Sequence, residues 1–162
     1  MSTSIQPGIE LKEGEKISQV IAYTSNAMVW GTVATREAVR VSTWLRTQSA
    51  PDYLPFQRAQ VLMTTTPDSR PLAFDELYIP VGLVQAYHLQ PPAHDPVDYD
   101  PNEPNRKMEA VTTLVGPFRF DGFVRLSTMT NLPRYLDVNK ETYTSIYDVS
   151  ISLPGSSKIT GL

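Results

Sequence analysis

Apolar positions along this chain fall into two blocks with the same spacing, residues 31–63 and 122–153. At an offset of 91 (122 − 31), Gly31 falls on Gly122, Val33 on Val124, Val41 on Leu132, Trp44 on Tyr135 and Leu45 on Leu136. After a one-residue slip the offset is 90 (143 − 53). Tyr53 then falls on Tyr143, Phe56 on Ile146, Ala59 on Val149 and Val61 on Ile151. Upstream, Val20 matches Val111 and Val29 matches Phe120. The charged positions between them drift. Burial restricts volume and polarity whereas a solvated face does not, so the pattern predicts two copies of one core.

Residues 18–24 and 27–35 are β-branched and aromatic, separated by Ser25-Asn26, and predict a hairpin. In the second strand Met28, Trp30 and Thr32 alternate with Val29, Gly31 and Val33, so both faces carry bulk. That suits a small barrel or a sheet covered on both sides. Val41, Trp44 and Leu45 have helical spacing, as do Leu132, Tyr135 and Leu136, with Pro133 suited to a first helical turn. Each predicts a short helical turn closing a barrel end. A strand over 56–64, a turn over 65–71, and strands over 76–79 and 82–88 broken at Pro80 complete the first copy. Gly31 and Gly122 lie in no Gly-rich run, so they predict a strand bend or a close backbone approach, not a phosphate loop.

The second copy is shorter, and only residues 157–162 remain to supply its closing strands. A sheet without its last strands exposes unpaired backbone groups. Either residues 9–11 or another chain is expected to cover that edge. Between the copies, residues 90–107 hold five prolines and the acids Asp95, Asp98, Asp100 and Glu103. Proline fixes φ and removes donors, so this segment predicts a semi-rigid, extended, solvated linker. The expected organisation is an N-terminal arm (1–17), a first domain (18–89), the linker (90–107) and a second, shorter domain (108–162). The fold class is all-β: two related small barrel-like domains, each with one short helical turn, joined by the Pro-rich linker.

Composition narrows the function. The chain has 162 residues, is 41 % hydrophobic and carries a net charge of −3, so no global field draws it to nucleic acid or anionic membrane. Cysteine is absent, which removes disulfides, thiolate catalysis and zinc–thiolate sites. The N-terminal segment has no basic start followed by an apolar run, and no run of ~18 apolar residues occurs anywhere, so a cytoplasmic location is expected.

Gly31, Val41-x-x-Trp44-Leu45, Phe56-x-x-Ala59-x-Val61 and Glu76-Leu77-Tyr78-Ile79-Pro80-Val81 together resemble a small bacterial β-domain family of unknown function. The first copy matches along most of its length, the second through Ile151. That resemblance implies a fold but no activity. A remoter similarity is to the Sm-like RNA-binding barrel, carried by Gly122-Phe-Val-Arg-Leu-Ser-Thr-Met-Thr-Asn131-Leu132. The Asp of that loop and the late Arg-Gly pair are missing, so base-binding roles do not transfer. The likeness implies a small, strongly bent barrel that assembles through its edges.

Candidate chemistry is sparse. His88 and His94 flank the acidic linker and could offer imidazole and carboxylate ligands to a divalent ion, but the spacing fits no EF-hand. No Gly-x-Ser-x-Gly elbow is present. The pairs Asp75 with Glu76 and Asp121 with Asp148 have no supporting motif for acid–base work. Arg119, Arg125, Arg134 and Lys140, with Arg36, Arg40, Arg46 and Arg58, could line a basic stripe for nucleic acid. Solvated arginines paired with acids are the commoner arrangement. The expected function is therefore a non-catalytic structural, assembly or adaptor subunit. It would act through strand-edge and aromatic contacts with itself or another protein, with no cofactor, metal or membrane insertion. The interface candidates are Trp44, Tyr135, Ile159 and Leu162. The alternatives are a nucleic-acid-binding module on Arg119, Arg125, Arg134 and Lys140, and a metal-dependent enzyme or binder at His88 and His94.

Overall fold

A computed structural model describes residues 9–48, 50–66 and 68–154. The expected closing strand over 157–162, with Ile159 and Leu162, lies outside the described residues. Eight strands form two antiparallel sheets: β1 (Glu15–Tyr23), β2 (Ala27–Arg36), β3 (Tyr53–Met63), β4 (Leu72–Pro80), β5 (Ala86–Leu89), β6 (Arg106–Val115), β7 (Phe118–Ser127) and β8 (Tyr147–Ser152). Two short helices, α1 (Val41–Trp44) and α2 (Leu132–Val138), follow β2 and β7. The first sheet has the order β4-β3-β2-β1-β5 and the second β6-β7-β8. The chain is mostly β, but among the described residues neither sheet closes into a barrel. Residues 9–11 form no strand and so pair with no edge.

The order hairpin, short helix, strand occurs twice, with matching register. Val20 lies opposite Gly31 in the first hairpin, and Val111 opposite Gly122 in the second. The next strand joins each hairpin with one residue extra. Trp30 pairs Gln60 and Thr32 pairs Gln57, while Asp121 pairs Ser150 and Phe123 pairs Tyr147. Inside each irregularity one residue takes a left-handed backbone, Arg58 and Asp148, both with φ of 50°. A side chain on either glycine would strike this bulge. A Cβ on Gly31 would sit 3.0 Å from the Gln57 carbonyl oxygen, and one on Gly122 2.8 Å from that of Tyr147. Close backbone approach is thus the reason for both glycines.

β2 and the C-terminal half of β1, at the centre of the first sheet, are buried on both faces, as the bulk on both sides of β2 predicts. On one face Val20, Ala22, Val29 and Val33 pack with Leu54, Phe56, Ala59 and Ile79, and α1 closes this core with Val41, Trp44 and Leu45. On the other face Ile21, Tyr23 and Met28 meet Val115, Phe118, Phe120 and Ile151 of the second sheet. Tyr23 lies at the centre, fully buried, with edge-on contacts to Phe118 and Phe120 at 5.0 Å each. The two sheets therefore share a core, a contact on which the sequence is silent.

The linker differs too. Its prolines keep it out of regular structure, but its acids are not merely solvated. Asp95 accepts from the Ser42 backbone N–H at 2.8 Å, and Asp98 binds Arg46 at 2.9 Å and the Tyr147 hydroxyl at 2.5 Å. Tyr99 meets Tyr147 edge-on, and the Arg125 guanidinium lies 4.3 Å above its ring. The Asp95 and Asp98 carboxylates thus bridge the α1 region (Ser42, Arg46) and β8 (Tyr147).

Candidate functional site

Among the described residues, the second sheet has a core face that its own strands do not cover. Val111, Phe120 and Val124 occupy the positions that Val20, Val29 and Val33 hold in the first sheet. There, β4 and β5 flank the sheet and contribute Ile79, Leu77, Tyr87 and Leu89 to the core. In the second sheet Tyr23 and Met28, from the back of the first, fill only one end. The remainder is an open cleft of about 760 Å3. Val111, Val124 and Leu132 line it with Ile146 and Val149 on the β8 side, and β5 and residues 91–98 form the opposite wall. Leu45 is 5 % exposed, whereas Leu136, which falls on it at the offset of 91, is 55 % exposed and borders the cleft.

Two polar groups edge this cleft. His88 donates from Nδ1 to the Leu89 carbonyl at 2.7 Å, which leaves Nε2 to accept from the Tyr23 hydroxyl at 3.0 Å. Burial lowers the His88 pKa, and the Leu89 bond only partly opposes it, so the ring is held neutral. Burial also raises the Tyr23 hydroxyl. The second group is centred on Asp98. Partial burial disfavours its charge, but hydrogen bonds from Tyr147 and Arg46 and the Arg46 charge outweigh this and hold its pKa below the usual range. Burial and the bond to Asp98 push Tyr147 up to about 12. Both groups are satisfied internally, and neither presents a free base or nucleophile.

The other candidate residues are scattered. His94 bonds the Pro92 carbonyl at 3.3 Å, and among the described residues no group of three or more His, Asp or Glu could hold a metal ion. Arg119 forms an ion pair with Asp121 at 2.8 Å. Arg125 is fixed by Glu103 at 2.7 Å and by the Asp100 carbonyl. With Arg106, it holds the Glu103 pKa down to about 2. Lys140 donates to the Asp137 carbonyl, and Arg134 is in the first turn of α2, where its N–H is capped by Asn131. Trp44 is in the first core, 8 % exposed. Tyr135 is half-buried, with its hydroxyl accepting from Asn139.

Sequence reasoning missed the exposed apolar residues of β4, which adjoin the exposed Tyr53 of β3. Tyr53, Leu72, Phe74 and Tyr78 are 54, 52, 41 and 59 % exposed. The available signal was a nine-residue strand whose only charges are Asp75 and Glu76. No family model, curated protein or solved structure matches the chain. Among the described residues no helix is long and apolar enough to cross a membrane.

Proposed function

We propose that this protein is a non-catalytic structural or adaptor subunit, built from two copies of one small β unit, that acts through strand edges and aromatic contacts on itself or another protein. Matched registers, bulges and glycines in the two sheets support duplication. The observation that carries the function is the open apolar cleft beside a strand whose outer edge is unpaired among the described residues. Solvated apolar lining of this size costs free energy that a protein partner would recover by covering it.

Sedimentation of the intact protein at high micromolar concentration, with affinity isolation from its native cells, tests the proposal. A self-associated particle or a stoichiometric, saturable protein partner is the expected result. A compact monomer that retains no protein would overturn it.

A further inference from the structure

Four strands have one unpaired edge among the described residues: β4 and β5 in the first sheet, β6 and β8 in the second. Unpaired edges recruit other strands unless charge, proline, twist or cover blunts them. β6 is blunted by Arg106, Lys107 and Glu109. β5 has only four residues, and the cleft wall formed by residues 91–98 lies beside it. β4 and β8 are different. β4 has nine residues with no Lys or Arg, its two charges Asp75 and Glu76 at mid-strand and Pro80 at its last position, and displays Leu72, Phe74 and Tyr78 to solvent. β8 has neither Lys nor Pro, and it borders the cleft.

The two edges belong to different sheets, and they complement each other. One offers exposed bulky side chains, the other an apolar cleft short of side chains. We propose that β4 of one copy of this protein adds to the free edge of β8 of a second copy, placing Phe74 and Tyr78 against the cleft. This deepens the assembly reading above and rests on it. The contact is head-to-tail, because the surface that donates differs from the surface that receives. Every subunit in a larger particle therefore keeps one of each, and the assembly grows as a ring or an open chain.

Two variants of the full chain test this. Phe74→Lys/Tyr78→Lys disables the donor edge, and Leu136→Lys/Ser150→Lys disables the receiving cleft. All four positions are exposed, so the fold should survive, with circular dichroism as the check. Sedimentation of the wild type should show self-association, and each variant alone should be monomeric. An equimolar mixture should give a dimer and nothing larger, since each variant retains one working edge. A variant that assembles like the wild type, or a mixture that stays monomeric, overturns the proposal while self-association itself survives. A monomeric wild type also overturns it, and affinity isolation then decides separately whether another protein is the partner. If a variant unfolds, the absence of cysteine allows a second measurement. Phe74→Cys and Ser150→Cys chains, mixed with a short bis-maleimide, should cross-link to each other. Cross-linking no faster than that of either chain with itself would overturn the head-to-tail contact.

Discussion

Tyr23 shows how a single side chain ties the sheets together, with His88 of its own sheet holding its hydroxyl. Tyr23 is on β1, packs edge-on against Phe118 and Phe120 of the second sheet, and gives its hydroxyl to His88 on β5. A buried hydroxyl with no acceptor would cost about 1–3 kcal/mol, so the neutral ring is part of the core's hydrogen bonding. Burial holds the folded His88 pKa below its ordinary value of 6.5. Between those two values the unfolded chain binds a proton that the folded chain does not. Stability should therefore be full above pH 6.5 and fall as the pH drops through the folded value. Asp98, Glu103 and Asp121 are shifted down as well, but from ordinary values of 3.8, 4.5 and 3.8, so their losses come in more acidic solution. Urea midpoints measured from pH 7 to about pH 5 should decline in the wild type and flatten in His88→Gln. An unchanged slope in the variant would remove His88 as the cause.

Glycine and bulge form the repeated device at the scale of elements. An extra residue in β3 or β8 bends the strand and throws backbone toward the hairpin, and only a residue without Cβ fits opposite. Gly31→Ala and Gly122→Ala should each destabilise by about 1–3 kcal/mol, through forced backbone shifts rather than lost contacts. Gly82 has no neighbour within 4 Å of the place a Cβ would take, and should accept Ala within about 0.5 kcal/mol. Equal urea midpoints for all three variants would remove the bulge as the reason. Much of this level was legible in the sequence. β-branched and aromatic composition located the first hairpin, helical spacing located both helical turns, and the glycines stood out as isolated positions marking a strand bend or close approach. The left-handed residues Arg58 and Asp148 did not, because neither side chain announces a positive φ. Asp95 and Asp98 were also opaque. Their partners Ser42 and Arg46 lie more than fifty positions away, and local composition reads such acids as solvated.

At the scale of the whole molecule, the second sheet borrows its core from the back of the first. Phe118 is fully buried and belongs to a cluster shared by β1, β2, β6, β7 and β8. Segments of roughly 50 to 70 residues sit near the lower limit for independent stability, and here the two sheets contribute to burying each other. Unfolding should therefore be one cooperative transition rather than two. Both tryptophans, Trp30 and Trp44, are in the first half of the chain, while far-ultraviolet circular dichroism reports strands of both sheets. The two signals should give the same urea midpoint. Phe118→Ala, a change confined to the second sheet, should cost about 3–5 kcal/mol. Because the core is common property, that loss should move the tryptophan transition as far as the dichroism transition. Tryptophan emission that unfolds at the wild-type midpoint while dichroism falls early would mean the first sheet stands without the second. The shared core would then be a contact between two separately stable parts, and the cleft would open without unfolding either one.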